Sequence, residues 1–113
     1  MAASQRVEAL ATFSEIIRRK PAFAEGWNKR ATIYYLLGQY ELSMKDCDEV
    51  LKRNRNHFGA LSGYGQIYLA LGDPDRAQPY LERALKVNPN MAGVAVTLRL
   101  IEEHREQKRR RTI

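Results

Sequence analysis

"WNKRATIYYLLG", residues 27–38, and "LSGYGQIYLALG", residues 61–72, decide how this chain is read. Offset by 34 residues, they pair Ile33 with Ile67, Tyr34 with Tyr68, Leu37 with Leu71 and Gly38 with Gly72. The same offset aligns Leu51 with Leu85, Lys52 with Lys86, Asn54 with Asn88 and Asn56 with Asn90. A fixed internal period of this length marks stacked supersecondary units, each too small to bury a core alone.

Each unit reads as two helices. Trp27, Ala31, Tyr34 and Leu37 or Tyr35 recur at a spacing of three to four, which predicts a helix from about Ala24 to Leu37. Gly38 ends it, because glycine takes the left-handed conformation of a helix C-terminus without steric cost. A second helix from about Glu41 to Arg53 carries Met44, Cys47, Val50 and Leu51 on its apolar stripe. The next unit repeats the plan with a helix from about Phe58 to Leu71, closed by Gly72. "DPD", residues 73–75, opens its partner, with Asp73 suited to the N-cap and Pro74 to the first helical position. Pro79 falls inside that helix and is expected to kink it or remove one hydrogen bond.

The residues at fixed places in the period resemble the tetratricopeptide repeat pattern W-x2-L-G-x2-Y, A-x3-F, P. The second unit supplies Leu61, Tyr64, Gly65, Tyr68, Ala77, Leu81 and Pro89; the first supplies Trp27, Ala31, Tyr34, Ser43 and Cys47. The N-terminus supplies Ala9, Phe13 and Pro21, the later half of a unit. Arg30 and Arg55 depart from the pattern. The resemblance covers residues 5–91 and implies an all-α fold, a right-handed helical-hairpin solenoid with a C-terminal capping helix. It divides a single domain, residues 1–113, into a half repeat (4–23), two repeats (24–57 and 58–91), and a capping helix with a basic tail (92–113). Ala31 and Gly65, like Ser43, Ala77 and Ala84, are expected where neighbouring helices cross, since larger side chains would hold the backbones apart. Trp27, Tyr34, Tyr68 and Phe13 are read as core.

The two ends differ from the repeats between them. A helix at roughly Ser4 to Arg19 has no partner helix, so Val7, Leu10, Ala11 and Ile17 should be partly exposed. Either the chain is a piece of a longer protein, or that face meets another molecule, self-association included. The last helix, about Met91 to Gln107, has Val94, Leu98 and Ile101 at core spacing and then turns wholly polar, as a capping helix should.

The 113 residues are 44% apolar and 28% charged, an ordinary globular balance. No apolar run approaches the ~18 residues of a membrane span, and the N-terminus has no secretory signal pattern. A lone cysteine makes no intramolecular disulfide, which points to an intracellular, reducing compartment. Phrases such as "AEGWNKRA" and "HFGALSGYG" are similar to those of bacterial tetratricopeptide proteins and their plant counterparts, which implies the cytoplasm or an organelle such as the chloroplast. The net charge of +6 is uneven: residues 92–113 carry six basic and three acidic groups, with Lys108, Arg109, Arg110 and Arg111 in one run. That run is expected to be a flexible, screened charge cluster.

No nucleophile motif, phosphate loop or metal-ligand cluster is present, and no cofactor is expected. His57 and His104 lack partners at ligand spacing, Glu102 and Glu103 read as a solvated face, and Cys47 as a small buried group. The chain is therefore not expected to be an enzyme.

By resemblance, the first helix of each unit lines a concave face that takes peptides or helices. The residues so placed are Asn28, Lys29, Thr32 and Tyr35 in the first unit, Ser62, Gln66 and Leu69 in the second, and Val96 and Leu100 on the capping helix. Chaperone-binding relatives clamp a terminal carboxylate with Lys, Arg and Asn from three units. Here Ser62 and Gly63 stand where an Asn is needed, which favours an apolar or amphipathic partner. The expected function is a protein-interaction scaffold. The rival is a basic adaptor binding nucleic acid or an anionic membrane through residues 108–111.

Overall fold

The computed structural model describes residues 2–111, which form six helices and no strand. In order they are α1 (Ala3–Arg19), α2 (Ala24–Leu36), α3 (Tyr40–Arg53), α4 (Phe58–Ala70), α5 (Pro74–Val87) and α6 (Ala92–Arg111). The tightest pairs are α2 with α3 and α4 with α5, the two hairpins the repeat anticipates. Helices α1, α3 and α5 also pack on α2, α4 and α6 respectively, and α2 touches α4 directly. The chain is thus a two-layer helical-hairpin solenoid, with α2, α4 and α6 in one layer and α1, α3 and α5 in the other.

The turn inside each hairpin follows from its glycine. Gly38 and Gly72 have φ of 75° and 74°, the left-handed region open to a residue without Cβ. Gly38 N–H then donates to Tyr35 O at 3.0 Å and Gln39 N–H to Tyr34 O at 2.8 Å. Gly72 and Asp73 repeat both bonds, to Leu69 and Tyr68, at the same distances. Four orphan carbonyls at two helix ends are satisfied in this way. Asp73 caps α5 by accepting from Arg76 N–H at 3.1 Å, with Pro74 in the first turn. Pro79 is exposed and α5 continues through it to Val87, so the proline removes the amide that would bond to the Asp75 carbonyl without ending the helix.

Close helix approach depends on small side chains. A Cβ built on Gly65 would lie 2.4 Å from Leu81 Cδ2 and 2.6 Å from its Cγ, so α4 meets α5 where only glycine fits. In the other hairpin, buried Ser43 Oγ donates to the Ala31 carbonyl at 2.7 Å, using the same close approach to satisfy a hydroxyl. On α6 the equivalent position, 34 residues after Gly65, is Arg99, which is exposed.

The core is two linked clusters. Ala31, Cys47, Val50, Ala60, Tyr64 and Ile67 join the two hairpins, with Trp27 and Tyr35 packed against them. Ala77, Leu81, Val94 and Ile101 join the second hairpin to α6. Arg30, which departs from the repeat pattern, has a structural reason. Its Nε and Nη2 donate to Asp46 Oδ2 and Oδ1 at 2.8 and 2.9 Å, and its Nη1 donates to Ser14 Oγ at 3.2 Å. Asp46, only 3% exposed, holds the guanidinium pKa above its ordinary value. Trp27 and Tyr34 lie 5.4 and 5.7 Å from the cation.

One expectation needs correction. Residues 108–111 are not an unstructured cluster: α6 carries them to Arg111, and Glu106 pairs with Arg109 and Arg110 one turn on. The i,i+3 and i,i+4 pairs and the fit of cations to a helix C-terminus account for this. Gly65 faces α5, Gly59 packs on Asn28, and Gly63 lies near Cys47 Sγ.

Gly65→Ala should therefore cost at least about 1 kcal/mol by overpacking, whereas Gly63→Ala, whose Cβ would meet only Cys47 Sγ at 3.5 Å, should be neutral or stabilising by ~0.5 kcal/mol. Urea unfolding of both variants checks this, and equal midpoints would refute the assigned crossing. Asp46→Ala should lose about 3 kcal/mol by stranding Arg30, and the apolar pair Arg30→Met with Asp46→Leu should recover most of that.

Candidate functional site

Between α2 and α4 lies a groove of about 280 Å³. Asn28, Thr32 and Tyr35 form the α2 wall, and Gly59, Ser62, Gly63 and Gln66 the α4 wall. Ala31, Ser43 and Cys47 complete the lining, two of them from α3. The walls follow from helix periodicity: residues 28, 32 and 35 lie one turn apart, as do 59, 62, 63 and 66. Cys47 stands where the second unit has the larger Leu81, and Gly63 where the first has Lys29. Small groups at both places leave room between the helices.

No lining residue is charged. Thr32 Oγ1 donates to Asn28 O at 3.1 Å and Ser62 Oγ to Gly59 O at 3.3 Å, so each hydroxyl spends its proton locally and keeps acceptor capacity. Asn28 is held from behind. Its Nδ2 donates to Glu25 Oε1 at 3.0 Å, and the same oxygen lies 3.0 Å from His57 Nε2. His57 Nδ1 accepts from Ala60 N–H at 3.1 Å, capping α4, which leaves the proton on Nε2 for Glu25. Gly59 permits this arrangement, because a Cβ there would lie 2.9–3.0 Å from both the Asn28 amide and the His57 ring. Tyr35 stands against Tyr40, ring centroids 5.7 Å apart.

Of the nine residues expected from the sequence, five line this groove: Asn28, Thr32, Tyr35, Ser62 and Gln66. Lys29 is exposed outside the lining. Leu69 packs against the second core cluster. Val96 and Leu100, 42% and 57% exposed, stand one turn apart on α6, apart from the groove lining. Sequence reasoning missed Ser43 as a lining residue and the Glu25–His57 pair behind Asn28. The pair is separated by 32 residues, close to one repeat period, and that spacing was the available signal.

Burial, with Asp46 and Asp48 nearby, pushes the Cys47 thiol up to about 12. It is a neutral lining group rather than a nucleophile. Among the described residues, no group of three or more His, Cys, Asp or Glu side chains is placed to hold a metal ion, and no helix is long and apolar enough to cross a membrane.

Comparison with known proteins gives this geometry a context. A family model described as tetratricopeptide repeat matches residues 23–90. A TPR repeat-containing protein of Rhizobium etli is 41% identical over 81 residues, covering 72% of this chain and 40% of that protein. Anaphase-promoting complex subunit 7 of Dictyostelium discoideum is 32% identical over 78 residues, 69% of this chain but 13% of its own length. The chain therefore spans well under half of these relatives. Among solved structures, the first TPR of Spaghetti (RPAP3) bound to the HSP90 peptide SRMEEVD superposes with a TM-score of 0.83 at 25% identity, covering 89% of this chain and 80% of that one.

Cys47 should resist thiol reagents in the folded chain at pH 8 and react fully in denaturant. An unfolded cysteine ionises near ~8.5. Because the folded thiol titrates only at about 12, its contribution to stability is present below the unfolded value and is lost as pH rises from there through the folded one. Rapid labelling under native conditions would contradict the burial.

Proposed function

Because the chain belongs to the tetratricopeptide repeat family, we propose that it is a protein-interaction module that holds a partner segment in the groove between α2 and α4. The observation that carries this reading is an open groove in the first-helix layer, lined by uncharged hydrogen-bonding and apolar groups. Asn28, Thr32, Ser62 and Gln66 supply donors and acceptors for the main chain of an extended segment, and Tyr35 supplies a flat apolar contact. Val96 and Leu100 extend the layer toward α6 for an apolar side chain.

The related RPAP3 domain holds the acidic peptide SRMEEVD. In this chain Lys29 stands outside the lining and the walls carry no cation, which supports a neutral or amphipathic segment rather than an acidic tail. An acidic peptide would lose its hydration at carboxylates that find no counter-charge here. The partner is therefore selected by shape and amide hydrogen bonds, with modest affinity from a small contact area.

Peptides selected against the intact chain by display should be uncharged or amphipathic, and SRMEEVD should bind at least ~10-fold more weakly than the best of them. Tyr35→Ala and Asn28→Ala should each weaken the selected peptide by about 1–2 kcal/mol with helicity unchanged, measured by fluorescence anisotropy. Leu69→Ala should instead lower stability, through lost packing in the second cluster. Tight binding of SRMEEVD, or selected peptides indifferent to Tyr35 and Asn28, would remove the groove as the site.

A further inference from the structure

The turns that join one hairpin to the next fall on one edge of the solenoid and are built alike. Phe23 N–H donates to Lys20 O at 3.0 Å, His57 N–H to Asn54 O at 3.1 Å and Met91 N–H to Asn88 O at 3.3 Å, each 34 residues from the last. Cross-bonds hold these turns side by side. Arg53 Nε donates to Pro21 O at 2.7 Å, and Arg83 Nη2 donates to Arg55 O at 3.2 Å.

This edge is basic. Glu15 is shared between Arg18 and Arg19, and Glu49 between Lys52 and Arg53, so each cluster keeps one positive charge in excess. Glu25 is engaged by Asn28 and His57. Lys20, Arg55 and Lys86 are exposed, one beside each turn; against them stands Glu82. Cations suit the C-terminal ends of α1 and α3, and that explains Arg18, Arg19, Lys52 and Arg53. It does not explain the apolar groups beside them. Phe23 at 50%, Val87 at 42% and Met91 at 39% exposure project at the same turns.

We infer that this edge is a peripheral docking surface for an anionic lipid bilayer, with Lys20, Arg55 and Lys86 facing the headgroups and Phe23, Val87 and Met91 entering the interface. Cations near an anionic leaflet gain a long-range attraction that needs no fixed geometry, and apolar side chains add a short-range term. The arrangement matches that division. The cations are spread one per turn along an edge rather than converging on a point, as recognition of a single phosphate or carboxylate would require. Val87 and Met91 have no ring face on which a nucleic-acid base could stack. The surface is separate from the groove, so the inference does not depend on the partner proposed there. It is also separate from residues 108–111, which α6 carries away from this edge, because α6 starts at Ala92 beside the last turn.

Sedimentation of the full chain with vesicles tests this. Vesicles of about a third phosphatidylserine in phosphatidylcholine should bind it, pure phosphatidylcholine should not, and binding should fall steeply with salt. The triple variant Lys20→Glu, Arg55→Glu, Lys86→Glu should bind about a hundredfold more weakly. Phe23→Ser with Met91→Ser should weaken binding several-fold at unchanged charge. A chain ending at Gln107 should bind as the parent does. Circular dichroism should be unaltered in each substituted variant, all of those positions being exposed. Equal binding to both vesicle types, or binding lost with residues 108–111 but kept in the triple variant, would overturn the inference. So would single-stranded RNA binding that depends on the three cations while vesicles are ignored, since that would give the edge to nucleic acid.

Discussion

The Arg30 guanidinium is the joint on which the stacking depends. It reaches its own hairpin partner through Asp46 on α3 and the preceding unit through Ser14 on α1, while lying on α2. One repeat later the same joint is made with different chemistry. Tyr64 takes the place of Arg30 and Tyr80 that of Asp46, and their rings stack at 4.5 Å with 13° between planes. Tyr64 Oη donates to Asp48, the counterpart of Ser14, and burial together with that bond raises the phenol pKa above its ordinary value. A charge pair and an aromatic pair thus fill equivalent space and preserve the same three-helix contact. Pairwise substitution is tolerated because the solenoid needs the contact rather than any one residue type; changing one member alone would strand a charge or open a void.

The uncharged groove follows from the same packing. With helices drawn together at Ala31, Ser43 and Gly65, the space between α2 and α4 is set by the side chains on their facing walls. Cys47 and Gly63 are small enough to leave it open. Charge lies instead along the outer face of α3, at the turns and along the last part of α6. The solenoid therefore presents an uncharged groove and charged turns, two surfaces of different chemistry.

Much of this was legible in the chain. The period gave the six helices, Gly38 and Gly72 gave the turns, and Asp73 with Pro74 gave the start of α5, because each rests on backbone demands met by few residue types. Five groove residues were legible through the family resemblance, which implies that the first helix of each unit lines the concave face. Arg30 was opaque, since alone it breaks the pattern, and its partner Asp46 lies 16 residues away with nothing in the linear order to link them. Leu69 was read as facing the groove, but a leucine beside a cluster containing Leu81 and Ile101 gains more by turning toward it. The basic edge was hidden because its members lie a repeat apart, so no stretch of sequence looks strongly charged. The helical state of residues 108–111 was missed because the run holds no apolar residue to fix its geometry, while Glu106 upstream pairs with Arg109 and Arg110.

Trp27 is the sole tryptophan, and it reports on one part of the array only. Its indole donates to Pro21 O at 2.9 Å, with the guanidinium of Arg30 at 5.4 Å and that of Arg53 at 4.8 Å from the ring. The tyrosine stack of Tyr64, Tyr68 and Tyr80 belongs to the second hairpin alone. In a linear array, stability is a sum of unit and neighbour terms, and units can open from an end without the rest. Tryptophan emission therefore gauges the first hairpin alone, whereas tyrosine absorbance sums Tyr34, Tyr35 and Tyr40 there with the stack in the second hairpin. Any gap between their transitions measures how strongly the hairpins are coupled, and so how far a load applied at one end of the solenoid is felt at the other.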